Sequence, residues 1–194
     1  MEITSIIVDN FLENPDRVRD SALSSAIDTV GNFPGFRSDP ADDGYSNYVK
    51  NKIETILNAK IIEWDKCLNY YTNTIEEQAT TRFQICLEGT KSWIHTDVVE
   101  WTGILYLTPG APTESGTAIY RHKPTGVYKQ EKDAEMLEDD DSSWEVISVI
   151  GNVYNRLALF KGNLYHKSLL SGFGHDKYSA RLTQVFFFNT SRTS

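Results

Sequence analysis

A histidine and a carboxylate two residues apart are the first candidates for chemistry in this sequence. His95 and Asp97 stand in the segment Trp93-Ile94-His95-Thr96-Asp97, after a predicted strand and hairpin turn. On an extended segment, side chains at positions i and i+2 point to the same side, so an imidazole and a carboxylate there can bind one cation. Taken alone, such a triplet is more often a surface pair than a metal site, so other residues must decide.

His166 is the candidate for a third ligand. It follows the apolar segment 157–160 and the turn 161–163. Two histidines and one carboxylate leave three positions of an octahedral metal open, as a non-haem Fe(II) oxygenase needs for a cosubstrate and O2. The remaining histidines fit less well, because His122 adjoins two cations and His175 lies in a predicted turn.

An arginine and a threonine form a second pattern. Arg181 follows His166 by fifteen residues and opens an apolar strand, on which Thr183 shares its face. A guanidinium binds a carboxylate through two parallel hydrogen bonds, and a neighbouring hydroxyl adds a third, so the pair suits a dicarboxylate. For Arg181 considered alone, an ion pair at a sheet edge is the simpler interpretation.

The elements that must position these residues change character along the chain. We predict a strand over 3–11 and helices over 15–28 and 45–59, from the Asn-Pro helix start and the apolar spacing. Beyond Ile61 we predict short strands, among them 82–88, 101–108, 117–121, 156–160 and 181–188. The expected fold is mainly β with N-terminal helices, as one 194-residue domain. Residues 1–60 form a helical support and 61–194 a β-barrel core, with a lid-like insertion at about 121–147.

Taken together, these motifs resemble the Fe(II)- and 2-oxoglutarate-dependent oxygenase superfamily. The order His95-x-Asp97, His166, Arg181-x-Thr183 carries the resemblance, which covers roughly residues 82–188 and is strongest to prolyl 4-hydroxylase-like members. The N-terminal segment is also similar to bacterial and phage members. The resemblance implies a double-stranded β-helix, a jelly-roll or cupin-like barrel, with Fe(II) as the metal and 2-oxoglutarate and O2 as cosubstrates.

The resemblance also assigns roles to single residues. It implies hydroxylation of an unactivated C–H bond in an amino-acid, peptidyl or other small substrate, with release of succinate and CO2. The implied iron ligands are His95, Asp97 and His166. The implied 2-oxoglutarate pocket contains Arg181, as the anchor of the far carboxylate, with Thr183 and Tyr106.

Two positions depart from the prolyl 4-hydroxylase pattern. Those enzymes usually carry lysine at the anchor and tyrosine three residues before the first ligand, where this sequence has Arg181 and Ser92. Prolyl specificity therefore does not follow from the resemblance, whereas the iron and 2-oxoglutarate chemistry does.

Four further residues are candidates for contact with the second substrate. Arg82 and Gln84 share one face of a predicted strand, which we expect to look into the barrel. Trp93 flanks the ligand pair, and Arg121 begins the lid-like segment.

Charge and composition limit the partners. The formal net charge is −8, and eight acidic residues against one lysine stand between residues 131 and 145. This balance argues against binding to nucleic acid or to an anionic membrane, and no stretch resembles a signal peptide or a membrane span. With only two cysteines, Cys67 and Cys86, we expect a reducing, cytoplasmic location.

Two other functional classes remain open at the level of sequence. One is a cupin-like metal-binding barrel or small-molecule binding module without oxygenase activity, although cupins usually draw further histidines and a glutamate from neighbouring strands. The other is a protein-binding scaffold, because a fold does not by itself imply catalysis. The identity of the substrate and the oligomeric state do not follow from the sequence.

Overall fold

Two helices precede most of the strands in the computed structural model, which describes residues 2–69, 71–77, 80–132, 134, 136–137 and 140–191. Helix α1 spans Pro15–Ser24, and the Asn14 side chain caps it by accepting from the Arg17 amide. Helix α2 spans Asp43–Leu57 and is capped by Asp42. Within the described residues, no helix is long and apolar enough to cross a membrane.

Thirteen strands lie within the described residues. In chain order they are β1 Ser5–Val8, β2 Ile27–Thr29, β3 Phe36–Ser38, β4 Ile61–Glu63, β5 Lys66–Leu68, β6 Ile75–Glu77, β7 Phe83–Cys86, β8 Trp101–Tyr106, β9 Thr117–His122, β10 Trp144–Ile150, β11 Leu157–Lys161, β12 His166–Ser168 and β13 Arg181–Thr190.

The strands form two main antiparallel sheets. The larger has the order β1-β11-β8-β13-β7-β3-β2, with β4 also paired to β13, and the smaller has the order β10-β9-β12. Strands β5 and β6 form a separate hairpin. Apolar side chains of the two main sheets meet between them, for example Tyr106 and Phe160 of the large sheet with Ile119 of the small one. The fold is a double-stranded β-helix, as the sequence predicts.

Alternation along β13 separates a structural face from a functional one. Leu182, Phe186 and Phe188 belong to the core that includes Val49 and Ile53 of α2. The intervening side chains point the other way, between the two sheets. The helices therefore cover one face of the large sheet, and its other face is free to line a site.

The first sixty residues contain more than the expected helical support. Helix α1 ends at Ser24 rather than at residue 28, because residues 27–29 form β2 and pair with β3. Strand β1 pairs with β11 and β3 pairs with β7, so this part of the chain adds three strands to the large sheet. Tertiary pairing outweighs the local helical pattern here.

The lid-like insertion is shorter than the expected 121–147. Arg121 is still part of β9, and residues 144–150 form β10, whose first two residues pair with His122 and Arg121. The β-branched run in 146–150 explains the strand. The connection between the two strands is therefore 123–143, of which residues 133, 135, 138 and 139 lie outside the described part.

Part of this connection packs against the side of the small sheet that carries Trp144 and Tyr165. Met136 and Leu137 pack against a cluster that contains Trp144 and Tyr165, and the Leu137 amide donates to the Tyr165 hydroxyl at 2.9 Å. Tyr165 precedes His166 on the chain, so the two side chains point to opposite faces. A lid function for this connection stays a prediction.

Candidate active site

Three predicted site residues converge between the two sheets. His95 pairs with His166 as an isolated antiparallel bridge, with N to O distances of 3.1 and 2.9 Å in its two backbone hydrogen bonds. The Asp97 amide donates to the carbonyl of Gly162 at 2.7 Å. One donor atom from each of His95, Asp97 and His166 lies within 4.8 Å of the other two.

Both histidines are oriented in the same way. Nδ1 of His95 lies 3.0 Å from the carbonyl of Trp93, and Nδ1 of His166 lies 2.8 Å from the carbonyl of Leu164. Because a carbonyl only accepts, these contacts place a proton on each Nδ1 and leave the Nε2 lone pairs free. Those Nε2 atoms lie 3.8 and 3.3 Å from the two carboxylate oxygens of Asp97. Lone pairs and a carboxylate facing one another repel unless a cation lies between them.

The carboxylate is held from a second side. Thr102 on β8 donates its hydroxyl to Oδ2 of Asp97 at 2.5 Å. Burial alone raises the pKa of Asp97, but the proximity of the His166 ring and the Thr102 hydroxyl outweigh it, so the pKa lies below its ordinary value. Burial, reinforced by His166, lowers the pKa of His95. At neutral pH the pair is a carboxylate and a neutral imidazole, the forms that bind a divalent metal.

The donor set fits the metal that the resemblance implies. Two imidazole nitrogens and one carboxylate oxygen are the donor set of the facial triad used by non-haem Fe(II) oxygenases. Within the described residues, no other group of three histidine, cysteine or acidic side chains has this proximity.

Arg181 lies at the start of β13 on the inward face and is only 4% exposed. Its Nε donates to the carbonyl of Ser115 at 3.0 Å, and its guanidinium carbon lies 5.7 Å from the centre of the Tyr106 ring. Among the described residues, no hydrogen-bond acceptor contacts its two terminal nitrogens. The fork of the guanidinium is therefore available to a ligand.

Thr183 and Tyr106 line the same pocket. They face each other in the register of β13 and β8, and both are buried. The Tyr106 hydroxyl lies 2.8 Å from the Thr117 hydroxyl. Thr102 and Tyr106 are four residues apart on the inward face of β8, a separation of about 13 Å along the strand. The metal ligands thus lie toward one end of β8 and Arg181 toward the other.

The four substrate candidates have different environments. Gln84 is 6% exposed on the inward face, whereas Arg82, just before β7, donates to the carbonyl of Ser38 on β3 at 2.6 Å. The Trp93 ring is 39% exposed and lies 6.2 Å from the His95 ring. Arg121 forms an exposed ion pair with Glu145. Substrate contact by these residues stays a prediction.

Sequence reasoning missed two residues of the site. Thr102 had a signal, because it alternates with Tyr106 on a predicted strand. Arg37 had none, because it stands in a region where the sequence predicts only a helix break. The structure pairs it with Gln84 across β3 and β7, the charge of Asp97 raises the pKa of Arg37, and the charge of Arg37 lowers that of His95.

A family model described as a family of unknown function, DUF6445, matches residues 2–138. The chain belongs to this family. The DUF6445 match includes Arg37, His95 and Asp97 but ends before His166 and Arg181, so the match by itself contains only part of the site. No curated protein sequence matches the chain.

Solved structures extend the comparison to almost the whole DUF6445 chain. A prolyl hydroxylase from Trichoplax adhaerens, in complex with a hypoxia inducible factor oxygen degradation domain peptide fragment, is similar with a TM-score of 0.54 and 13% identity. The similarity covers 95% of this chain and 83% of that one. It confirms the resemblance to the oxygenase superfamily at the level of the fold.

Two further solved structures have TM-scores of 0.49, too low to add to the assignment of the fold. One is a Pseudomonas putida prolyl-4-hydroxylase with 14% identity, covering 95% of this chain and 91% of that one. The other is the Fe(II)/(alpha)ketoglutarate-dependent dioxygenase TqaL, with 12% identity and coverage of 97% and 84%.

Proposed function

We propose that this protein is a non-haem Fe(II)- and 2-oxoglutarate-dependent dioxygenase that hydroxylates an unactivated C–H bond of a small or peptidyl substrate. One observation carries the proposal: three metal donors and an unpaired buried guanidinium lie on the same inner surface of the barrel. Held by these residues, Fe(II) would activate O2, with one oxygen atom going into succinate as 2-oxoglutarate loses CO2 and the other into the substrate C–H bond.

The ligands have distinct tasks in this proposal. His95 and His166 offer Nε2 to the metal, while the carbonyls of Trp93 and Leu164 keep their Nδ1 protons in place. Asp97 supplies the one anionic ligand, and the Thr102 hydroxyl fixes the orientation of its carboxylate. Removal of a carbonyl or hydroxyl partner would loosen the metal without removing a ligand.

Arg181 serves the cosubstrate. A five-carbon dicarboxylate whose keto-acid end is held at the metal would present its far carboxylate to the terminal nitrogens of Arg181. Burial excludes water from this contact, so two charge-assisted hydrogen bonds form in a medium that strengthens them. The Tyr106 ring and Thr183 close the pocket on either side.

The peptide in the Trichoplax complex bears on the substrate only by analogy. That prolyl hydroxylase is bound to a peptide fragment, and in this protein Trp93 beside His95 is exposed enough for a peptidyl or amino-acid substrate to contact it. We therefore keep both small and peptidyl substrates within the proposal.

Formation of succinate tests the proposal. The purified protein with Fe(II), ascorbate and 2-oxoglutarate should release succinate at a slow uncoupled rate, and His166→Ala should abolish it because the metal loses a ligand. His175→Ala is the matched control, since His175 is an exposed histidine paired with Glu88. Metal titration by calorimetry should show the same difference. A wild-type protein that binds no divalent metal, or a His166→Ala variant with full activity, would refute the proposal.

A further inference from the structure

Among the described residues, a second guanidinium with an open fork lies on the inner face of the large sheet, close enough to Asp97 and His95 for the charges to interact. Arg37 lies on β3 directly opposite Gln84 of β7, and its Nε donates to the Gln84 side-chain oxygen at 2.9 Å. The same amide donates its nitrogen to the carbonyl of Pro34 at 2.7 Å. Both ends of the Gln84 amide are therefore occupied, and this holds the guanidinium in a fixed orientation.

Aromatic rings fix the plane of this guanidinium. Its central carbon lies 4.1 Å from the centre of the Phe33 ring and 5.7 Å from that of Phe187. Among the described residues, its two terminal nitrogens have no hydrogen-bond acceptor. Arg37 thus has the same design as Arg181: Nε bound to the protein, a neighbouring ring, and an open fork.

A glycine makes this placement possible. Gly35 has a φ of +71°, and a Cβ at that position would lie 2.0 Å from the carbonyl oxygen of Ile85. The close approach of β3 to β7 brings Arg37 over the inner surface of the barrel, near the ligands. Burial lowers the pKa of Arg37 to about 10, an effect that Asp97 partly offsets, so the side chain is cationic at neutral pH.

In the proposed complex, Arg37 has no negative charge to compensate its own. With Fe(II) and 2-oxoglutarate bound as proposed above, the positive charges of the metal and Arg181 equal the negative charges of Asp97 and the cosubstrate. Arg37 then adds one uncompensated positive charge in a half-buried wall. An isolated buried charge is costly, and a single planar fork suits a carboxylate better than a doubly charged phosphate.

We propose that Arg37 binds a carboxylate of the second substrate, so that the substrate is a carboxylic acid held beside the metal by a bidentate contact. Arg37 is then a residue that determines specificity for the substrate, and Arg181 serves the cosubstrate alone. The inference rests on the proposed function, because it assigns the open fork of Arg37 only after 2-oxoglutarate has been placed at Arg181.

Hippurate and hippuramide are suitable probes, since they differ only in a carboxylate and its neutral amide. Calorimetric titration into protein loaded with Co(II) and saturating 2-oxoglutarate should show hippurate binding at least about tenfold tighter than hippuramide. Arg37→Gln should remove this preference, and Arg37→Lys should restore only part of it because the planar fork is lost. Arg156→Gln is the matched control, because both ends of the Arg156 fork are already bound to the carboxylate of Asp9.

The affinity for 2-oxoglutarate separates the possible failures. Arg37→Gln should change the Kd for 2-oxoglutarate by less than about threefold, and hippurate should not compete with 2-oxoglutarate. If the wild-type protein binds 2-oxoglutarate but shows no measurable preference for the acid, the inference is wrong and the proposed function stands. A loss of 2-oxoglutarate binding in Arg37→Gln, or competition by hippurate, would make Arg37 a cosubstrate residue and also overturn the inference. If the wild-type protein does not bind 2-oxoglutarate, both the inference and the proposed function are wrong.

Discussion

Arg181 and Arg37 are held in similar ways by two different parts of the fold. Each has its Nε bound to a protein oxygen, an aromatic ring beside it and an open fork. Arg181 opens a ten-residue strand at the centre of the large sheet, whereas Arg37 belongs to a three-residue strand. Regular strand pairing positions Arg181 on the long strand. On the short strand, Arg37 is positioned by the backbone at Gly35, the amide of Gln84 and the ring of Phe33.

Loss of Arg181 is expected to produce the larger effect on the cosubstrate. Arg181→Ala leaves the far carboxylate of 2-oxoglutarate unpaired in a desolvated pocket, so the concentration needed for half-maximal succinate formation should rise by about two orders of magnitude or more. Arg181→Lys should recover part of this loss.

Arg37→Ala is the control for that experiment, and metal binding is its second readout. Both variants should bind Co(II) with the affinity of the wild-type protein. If the two alanine substitutions changed the requirement for 2-oxoglutarate equally, the proposed difference in role between Arg181 and Arg37 would be wrong.

The dependence of Arg37 on a glycine can be measured directly. Gly35→Ala forces a side chain into a left-handed backbone position and against the Ile85 carbonyl, at an expected cost of about 2–3 kcal/mol in the free energy of unfolding. Gly89→Ala is matched, because Gly89 also has a positive φ but open space around its Cβ position. Its cost should be about 1 kcal/mol.

Urea unfolding of both glycine variants gives these values. The hippurate preference should fall in Gly35→Ala and persist in Gly89→Ala, while 2-oxoglutarate binding persists in both. An equal cost for the two substitutions would show that the close approach of β3 to β7 does not position Arg37.

The smallest expected effect is on the affinity for the metal. Thr102→Val keeps the volume of the side chain but removes the hydroxyl that orients Asp97, so the Kd for Co(II) should rise about tenfold. Thr108→Val removes another buried hydroxyl of the same segment, which bonds to Ala180 and Leu182, and it should leave the metal affinity unchanged. Calorimetry on both variants checks this, and identical metal affinities would exclude a role for Thr102 in orienting the ligand.

Local patterns in the sequence were sufficient for the central part of the site. The i, i+2 alternation that aligns His95 with Asp97, and Arg181 with Thr183, is a property of any extended segment, and the structure brings these side chains to one inner surface. The strand predictions around residues 82–88, 101–108 and 181–188 are confirmed within a few residues by β7, β8 and β13. The same reasoning placed Gln84 on the inward face.

Only the tertiary structure determines that Arg37 joins that surface. Arg37 meets Gln84 across 47 residues of sequence, and no local period relates a three-residue strand to a partner so distant. The same holds for β10, which follows the acidic run and pairs with β9, and for Met136 and Leu137 of the connection 123–143, which pack against Trp144 and Tyr165. Alternation follows from the geometry of a single chain, whereas register and the choice of partner strand follow from packing among segments that are remote in sequence.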